Sequence, residues 1–265
     1  MLARQRQERI LAEVRQHGGA RVSDLVDLLG VSDMTIRRDI EVLARRELVV
    51  RVHGGATAVD ERSSDEPGFA AKSGLALEEK AAIAAAAARL VHPGASVALS
   101  AGTTTYQVAS QLVEVENLTV VTNSPPAADL LHSNPAAGRT VVLTGGTRTP
   151  SDALVGPVAV KALQDLHVDT LVLGVHGLDE RAGLTTPNLA EAETNQALVA
   201  SARRLVVVAD HTKWNVVGLA GIAPLERVDV MVTDAGLPQE ARRTLAAIVG
   251  ELVVVDVPTA RGAAS

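Results

Sequence analysis

VSDMTIRRDI, residues 31–40, sets two adjacent arginines inside a segment with helical apolar spacing. On a wheel of about 100° per residue with Ile36 at zero, Ile40 falls at about 40° and Leu43 at about −20°. These three form one apolar stripe. Arg38 and Arg45 fall at about 200° and 180°, opposite the stripe, and Arg37 sits on its flank at about 100°. Ser32 suits an N-cap, so a helix is expected from about residue 33 to 46. Packing the stripe against a neighbour exposes the arginines. Two readings are open. One is a solvated helix face, with Glu41 paired to Arg37 or Arg45 at four-residue spacing. The other is a helix that enters the major groove of DNA with Met34, Thr35, Arg37 and Arg38 at its leading end. A guanidinium fork bonds bidentately to guanine or to phosphate, which suits the second.

The flanks bear on the choice. Ile10, Leu11 and Val14 mark a helix over roughly 4–16, stopped by the glycines at 18 and 19. Val22, Leu25, Val26 and Leu29 mark a second, ended by Gly30. After the arginine helix, LVVRVHGGATAV reads as a hairpin of two short strands about Gly54 and Gly55. Arg51 and His53 near its tip suit a backbone phosphate or a minor groove. Helix, helix, short turn, arginine helix and glycine hairpin in that order favour DNA. Charge agrees. Residues 1–58 hold ten arginines, no lysine and eight acids, against fifteen basic and twenty-three acidic residues in the remainder. A basic leading part on a chain of net charge −6 points to two parts with different partners.

DERSSDEPGFAAKSG, residues 60–74, is polar and carries Pro and Gly, so a linker is expected over 59–75. Beyond it seven short apolar runs recur: ASVALS, LTVVTN, TVVLTGG, DTLVLGV, RLVVVAD, DVMVTD and ELVVVDV. Unbroken runs of this length suit strands buried on both faces of a parallel sheet. Their alternation with helical stretches predicts an open, mostly parallel α/β domain over 76–258. Ligands of such sheets bind at the loops leaving the C-terminal strand ends.

The first of those loops is VALSAGTTTYQVASQL, residues 97–112, which runs strand, glycine–threonine loop, helix. Gly102 allows close approach, Thr103, Thr104 and Thr105 supply donors, and the helix start favours a phosphate. The same threonines also suit a helix cap with no ligand. Asn123 and Ser124, Gly145 and Gly146, His176 and Asp179, and Asp210, His211 and Lys213 follow other strands. Each group has a structural use as a turn or cap. Together they describe a pocket for a phosphorylated polyol or sugar, with Lys213 supplying charge and Asn and Asp meeting hydroxyls.

Composition narrows the classes. A chain of 265 residues, 47% hydrophobic, is long enough for two domains with a sizeable core, built without aromatics since it has one Trp, one Tyr and one Phe. No cysteine means no disulfide framework, cysteine–zinc site or cysteine nucleophile. No run is long and apolar enough for a membrane span, and the N-terminus does not read as a signal peptide, so a cytoplasmic protein is expected. His92, His132, His167, His176 and His211 lack the close spacing of a metal site, and no metal or cofactor is expected.

RQERIL (6–11), VSDLVDLLGVSDMTIRRDIEVL (22–43) and RVHGGA (51–56) resemble the winged helix-turn-helix of the DeoR-type bacterial transcription regulators. The resemblance implies DNA contacts by Thr35, Arg37 and Arg38, with Arg51 and His53 in the wing. Arg45 joins them as a further exposed cation. AGTTT, VVTNS, LTGG, GLT with EAE, and ADHTKW follow in order, as in the sensor domain of that family, whose fold is similar to pentose-phosphate isomerases. It implies a phosphorylated sugar as effector: Gly102 to Thr105 on phosphate, Asn123, Asp179 and Glu191 on hydroxyls, Lys213 on an anionic group. Five positions depart from the family pattern. Glu47 replaces a glycine before the wing, Lys72 an arginine, Ala76 an asparagine, Ser100 an aspartate and Asn195 a lysine. The reading is a winged helix-turn-helix domain over 1–58 and a sugar-phosphate-sensing domain over 76–258: a sequence-specific DNA-binding transcription regulator, a repressor whose DNA binding a phosphorylated sugar modulates, not an enzyme, and a homo-oligomer because paired half-sites need paired modules. The competing reading is a sugar-phosphate isomerase, with Asp179 and Glu191 moving a proton alpha to a carbonyl and Lys213 stabilising the enediolate.

Overall fold

The computed structural model describes residues 2–17, 19–46, 48–52, 54–58 and 68–257. The chain divides into two compact units, 1–62 and 63–265.

The first unit runs α1 (Ala3–His17), β1 (Gly19–Arg21), α2 (Val22–Leu29), α3 (Asp33–Arg45), β2 (Val49–Val52) and β3 (Gly55–Ala58). The apolar stripes expected of the three helices form its core: Ile10, Leu11 and Val14, then Val22, Leu25 and Leu29, then Ile36, Ile40 and Leu43 are all buried. Gly30 ends α2 in the left-handed conformation, φ 64°, its N–H donating to Val26 O. Ser32 caps α3, its hydroxyl accepting from Thr35 N–H. β1 was not foreseen. It pairs antiparallel with β3, so the wing is a three-stranded sheet in the order β1-β3-β2. A Cβ on Gly55 would stand 2.3 Å from Ala20 O, so only glycine at that position lets β1 close on β3.

The second unit opens with α4 (Phe69–Ser73) and α5 (Leu77–Ala88). The linker expectation over 59–75 therefore meets a helix. The Phe69 N–H donates to Pro150 O, which ties this stretch to the second unit. There follow β4 (Ser96–Leu99), α6 (Thr103–Gln111), β5 (Thr119–Thr122), α7 (Pro125–Ser133), β6 (Thr140–Leu143), β7 (Thr147–Arg148), β8 (Leu154–Val155) and α8 (Pro157–Leu163). Next come β9 (Val168–Gly174), β10 (Gly177–Asp179), β11 (Gly183–Thr186), α9 (Leu189–Ser201) and β12 (Ala202–Val208). The chain continues through β13 (Ala220–Ala223), β14 (Val230–Asp234), α10 (Gln239–Ile248) and β15 (Glu251–Val255).

Seven strands form one sheet in the order β15-β14-β12-β9-β4-β5-β6. Every neighbouring pair in it is parallel. These are the seven apolar runs of the sequence. Successive side chains go to opposite faces. Val97 and Leu99 of β4 pack with Ile83 of α5, Val108 and Leu112 of α6 and Leu131 of α7. Ala98 packs in the opposite cluster with Leu163 of α8, Leu198 of α9 and Leu245 of α10. The chain runs outward from β4 through β5 and β6, then returns to β9 on the other side of β4. The strand order reverses between β4 and β9, the switch point where open α/β sheets hold ligands. Two smaller antiparallel sheets, β10-β11-β13 and β7-β8, flank the main one.

Candidate nucleic-acid interface and anion site

α3 presents two faces of opposite character. Ile36, Ile40 and Leu43 are at most 2% exposed, whereas Met34 is 79% exposed. Arg37, Arg38 and Arg45 are all exposed. Asp39 explains why the helix sits as it does. It is buried, and its carboxylate accepts from Arg6 Nε at 2.5 Å and Gln7 Nε2 at 2.8 Å, both on α1. This charged clamp fixes the rotation of α3 about its axis, and with it the direction of Arg38. The sequence reading passed over Asp39, although at about −60° on the wheel it lies beside the apolar stripe.

The arginines differ in readiness. Arg38 makes no hydrogen bond or ion pair among the described residues. Arg37 is held by Asp33, Nε to Oδ1 at 2.5 Å and Nη2 to Oδ2 at 3.2 Å, not by Glu41. That hydrogen bond holds the Asp33 carboxyl below the ordinary carboxylate range. An exposed pair of this kind is worth little in water, so Arg37 exchanges Asp33 for a phosphate at small cost. Arg45 lies 3.9 Å from Glu41, a loose pair. The Thr35 hydroxyl shares a hydrogen with Ser32 Oγ at 2.9 Å, which places it in the cap. Arg51 is exposed on β2 between the exposed Val50 and Val52. His53 and Glu47 lie outside the described residues.

In the second unit the switch point is knitted by Ser100, whose hydroxyl accepts from Gly174 N–H at 3.0 Å and so joins the ends of β4 and β9. Gly102 follows with φ 147°, as N-cap of α6. The N–H groups of the first turn of α6 have no partner within the helix, and the helix dipole adds to their pull on an anion. Thr105 is fully buried and its hydroxyl donates to Gly102 O at 3.0 Å, which braces the loop from beneath. Thr103 is half-buried and Thr104 nearly buried, with no hydrogen bond from either hydroxyl among the described residues.

Four expected ligand contacts are otherwise engaged. Asn123 is buried: its Oδ1 accepts from Ala101 N–H at 2.8 Å and its Nδ2 donates to Leu154 O at 3.1 Å. It holds the anion loop in place from the next strand. Ser124 caps α7. Asp179 Oδ1 accepts from Arg181 N–H and Ala182 N–H, closing the β10–β11 hairpin. Glu191 accepts from Thr149 Oγ1 at 2.9 Å, from Thr186 Oγ1 at 3.1 Å, and from Ser151 Oγ. Both carboxylates, read in the sequence as meeting sugar hydroxyls, carry internal bonds as well, since a carboxylate drawn away from water needs donors and the fold supplies them. Gly146 is likewise structural, because a Cβ there would stand 2.5 Å from Val155 O; Gly145, φ 73°, turns the chain beside it.

A lysine that the sequence analysis did not single out joins them. Lys80, in the first turn of α5, is 3% exposed, and its Nζ donates to Lys72 O at 2.9 Å. Burial pulls its pKa down to about 8, opposed by the charge of Asp210 and assisted by Lys213 and Lys72. Burial works to raise the Asp210 carboxyl, but Lys213, the Thr212 hydroxyl, Lys80 and His211 outweigh it and hold it below the ordinary range. Lys80 and Lys213 thus bracket one buried carboxylate at the end of β12. His211 Nδ1 lies 2.8 Å from Asp234 Oδ2, a bond that raises the imidazole pKa against the opposing effect of burial. β12 and β4 are next-but-one neighbours, so their ends stand about 10 Å apart. That is the span of one phosphorylated sugar. Among the described residues no group of three or more His, Asp or Glu is placed to hold a metal ion, and no helix is long and apolar enough to cross a membrane.

A buried-stripe arginine helix with a winged sheet, joined in one chain to a parallel α/β unit with a cationic strand-end site, defines a two-domain DNA-binding regulator. Comparison with known proteins places it. Residues 6–62 match the DeoR-like helix-turn-helix domain and residues 75–235 the DeoR C-terminal sensor domain, so the chain belongs to the DeoR family of transcriptional regulators. It is 35% identical over 253 residues to a putative aga operon transcriptional repressor of Escherichia coli O157:H7, covering 95% of this chain and 93% of that protein. It is 38% identical over 246 residues to the HTH-type transcriptional regulator GlpR of Haloferax volcanii, covering 92% and 95%. Similar solved structures include a ribose 5-phosphate isomerase from Methanocaldococcus jannaschii. That match has 17% identity, a TM-score of 0.36 and coverage of 51% of this chain and 53% of that one, too distant to carry an activity across.

Proposed function

We propose that this protein is a repressor that binds a paired operator through α3 as a homo-oligomer and leaves it when a phosphorylated sugar occupies the strand-end site. The observation that carries the reading is the pairing, in one chain, of an outward guanidinium on a clamped helix with a switch-point anion loop in the sheet whose β12 end carries Lys80, Asp210 and Lys213 as one charged group. Arg38 reads a base or a phosphate in the major groove, with Thr35, Arg37 and Arg45 beside it and Arg51 in the wing. Gly102, Thr103 and Thr104 take the phosphate, and Lys80 and Lys213 supply charge. It works in the cytoplasm, where duplex and phosphorylated metabolites meet.

An isomerase needs a carboxylate free to move a proton. The two candidates, Asp179 and Glu191, are engaged by a hairpin turn and by three hydroxyls. We therefore assign no turnover to this site. The discriminating experiment uses Thr104→Val in the full chain, with a duplex selected by the wild type from a random library. The variant is expected to keep the wild-type affinity for DNA and to lose most of the response to ribose 5-phosphate, fructose 6-phosphate or glycerol 3-phosphate. An unaltered response would remove the loop from the effector site.

A further inference from the structure

α4 is five residues long and buries none of them fully. A helix of that length does not hold itself together in water, so its place is set by what it touches. Three contacts are on view. The Phe69 N–H donates to Pro150 O at 3.1 Å. The Phe69 ring meets Tyr106 edge-on, centroids 6.0 Å apart and planes at 85°. The Lys72 carbonyl accepts from Lys80 Nζ at 2.9 Å. Two of the three lead to the strand-end site. Tyr106 stands in the first turn of α6, just after the Gly102 loop. Pro150 lies between Thr149 and Ser151, whose hydroxyls are bound to Glu191. Lys80 is one of the two cations of the site.

In chain order α4 is also the first described element after the DNA-binding unit. We propose that α4 is the element through which occupancy of the anion site reaches the DNA-binding unit, with Phe69 its positioning residue and Lys80 the shared contact. This rests on the sensor reading above. An anion at Gly102–Thr104 draws the Lys80 ammonium toward itself, in competition with the last-turn carbonyl of α4. It also reorders the first turn of α6, on which Tyr106 carries the Phe69 ring. Both effects change the hold on one short helix. The joint beyond it holds backbone strain. Ala76, between α4 and α5, sits at φ 47° and ψ 47°. Every other non-glycine residue at positive φ among the described residues is Asn or Asp, types that tolerate it. Strain held between α4 and the helix that carries Lys80 would be released by displacement of α4. The two arrangements of α4 then give the effector the differential affinity that any ligand-driven switch requires.

The test is a split between binding and response in the full chain. Wild type, Phe69→Ala and Phe69→Tyr are titrated with ribose 5-phosphate by calorimetry. Their affinities for a library-selected duplex are then measured with and without that compound. Wild type is expected to lose roughly fivefold or more in DNA affinity on saturation, the low end of ordinary coupling. Phe69→Ala is expected to bind the sugar phosphate within about twofold of wild type, yet to change its DNA affinity by less than about twofold. Phe69→Tyr should restore the response. Equal responses in wild type and Phe69→Ala overturn the proposal and leave the sensor reading standing. A wild type that binds neither ribose 5-phosphate nor inorganic phosphate, or whose DNA affinity ignores them, overturns both. If Phe69→Ala does not fold, amide exchange on the wild type decides. Altered protection of residues 69–73 on adding ribose 5-phosphate supports the relay, and unchanged protection there overturns it.

Discussion

Ala76 is the residue most at odds with its own backbone. At φ 47° a side chain with a Cβ costs about 1–2 kcal/mol, and alanine offers α5 no side-chain cap in return. The family pattern has asparagine here, and asparagine accepts this conformation readily. Ala76→Asn is expected to raise stability by about 0.5–1 kcal/mol, read as a higher urea midpoint at unchanged slope. A fall in the midpoint would contradict the assigned conformation. Lys80 yields a second expectation, of pH dependence. Its pKa of about 8 lies below the 10.5 of an ordinary lysine. Between those values the unfolded chain holds the proton and the folded chain does not, so the destabilisation from Lys80 is full below pH about 8 and is relieved as pH rises toward 10.5. The anion site loses a charge over that rise. Affinity for ribose 5-phosphate, a phosphomonoester already largely dianionic at about pH 7, is expected to fall severalfold between pH 7 and 9.5. A Lys80→Arg variant, charged throughout, should show a flat profile. A wild-type profile as flat as that variant's would remove Lys80 from the site. Ala76 stood out in the sequence only as a departure from the family pattern, and Lys80 not at all. The burial of Lys80 is a product of how α5 meets the sheet end, and a backbone angle leaves no mark in residue type unless the residue is glycine or asparagine.

At the scale of elements the sequence was most readable where period and length agree. Seven unbroken apolar runs became seven parallel strands, since a strand buried on both faces needs no polar alternation. The stripe of Ile36, Ile40 and Leu43 became the buried face of α3 for the same kind of reason. What stayed hidden was short or glycine-rich. β1 is Gly-Ala-Arg, with no strand preference of its own, and exists because Gly55 lets it close on β3. The β10–β11 hairpin took Asp179 for its turn, and α4 was masked by polar flanks that read as linker. Spacing along a chain does not say which hydroxyls the fold will bring to Glu191, so its bonds to Thr149, Ser151 and Thr186 were not legible. The α1–α3 clamp gives the sharpest stability expectation. Asp39→Ala leaves Arg6, whose side chain is 12% exposed, without its counter-charge. Removing one partner of a buried pair costs about 3 kcal/mol or more, so the first unit should melt earlier by calorimetry. A DNA affinity that falls further than the lost folded fraction explains would show that the clamp also aims Arg38. A variant as stable as wild type would mean that the apolar stripe alone positions α3.

For the whole molecule, the division of charge matches the division of labour. Ten arginines and no lysine fill residues 1–58, while the acidic excess lies in the remainder. On the proposed reading, that excess disfavours duplex binding by the sensor unit and leaves recognition to α3 and the wing. Both units are needed for regulation, and each is testable by a change that spares the other. The central claim is that the outward face of α3 reads a double helix, and the most direct measurement is the salt-dependent affinity of Arg38→Ala for a duplex selected by the wild type. The expected result is a loss of roughly 1–3 kcal/mol, about 5- to 150-fold, concentrated on the selected sequence if Arg38 bonds a base. If it bonds a phosphate, the loss is uniform across sequences and the salt slope falls by about one. An affinity, specificity and salt slope all equal to wild type would contradict the claim.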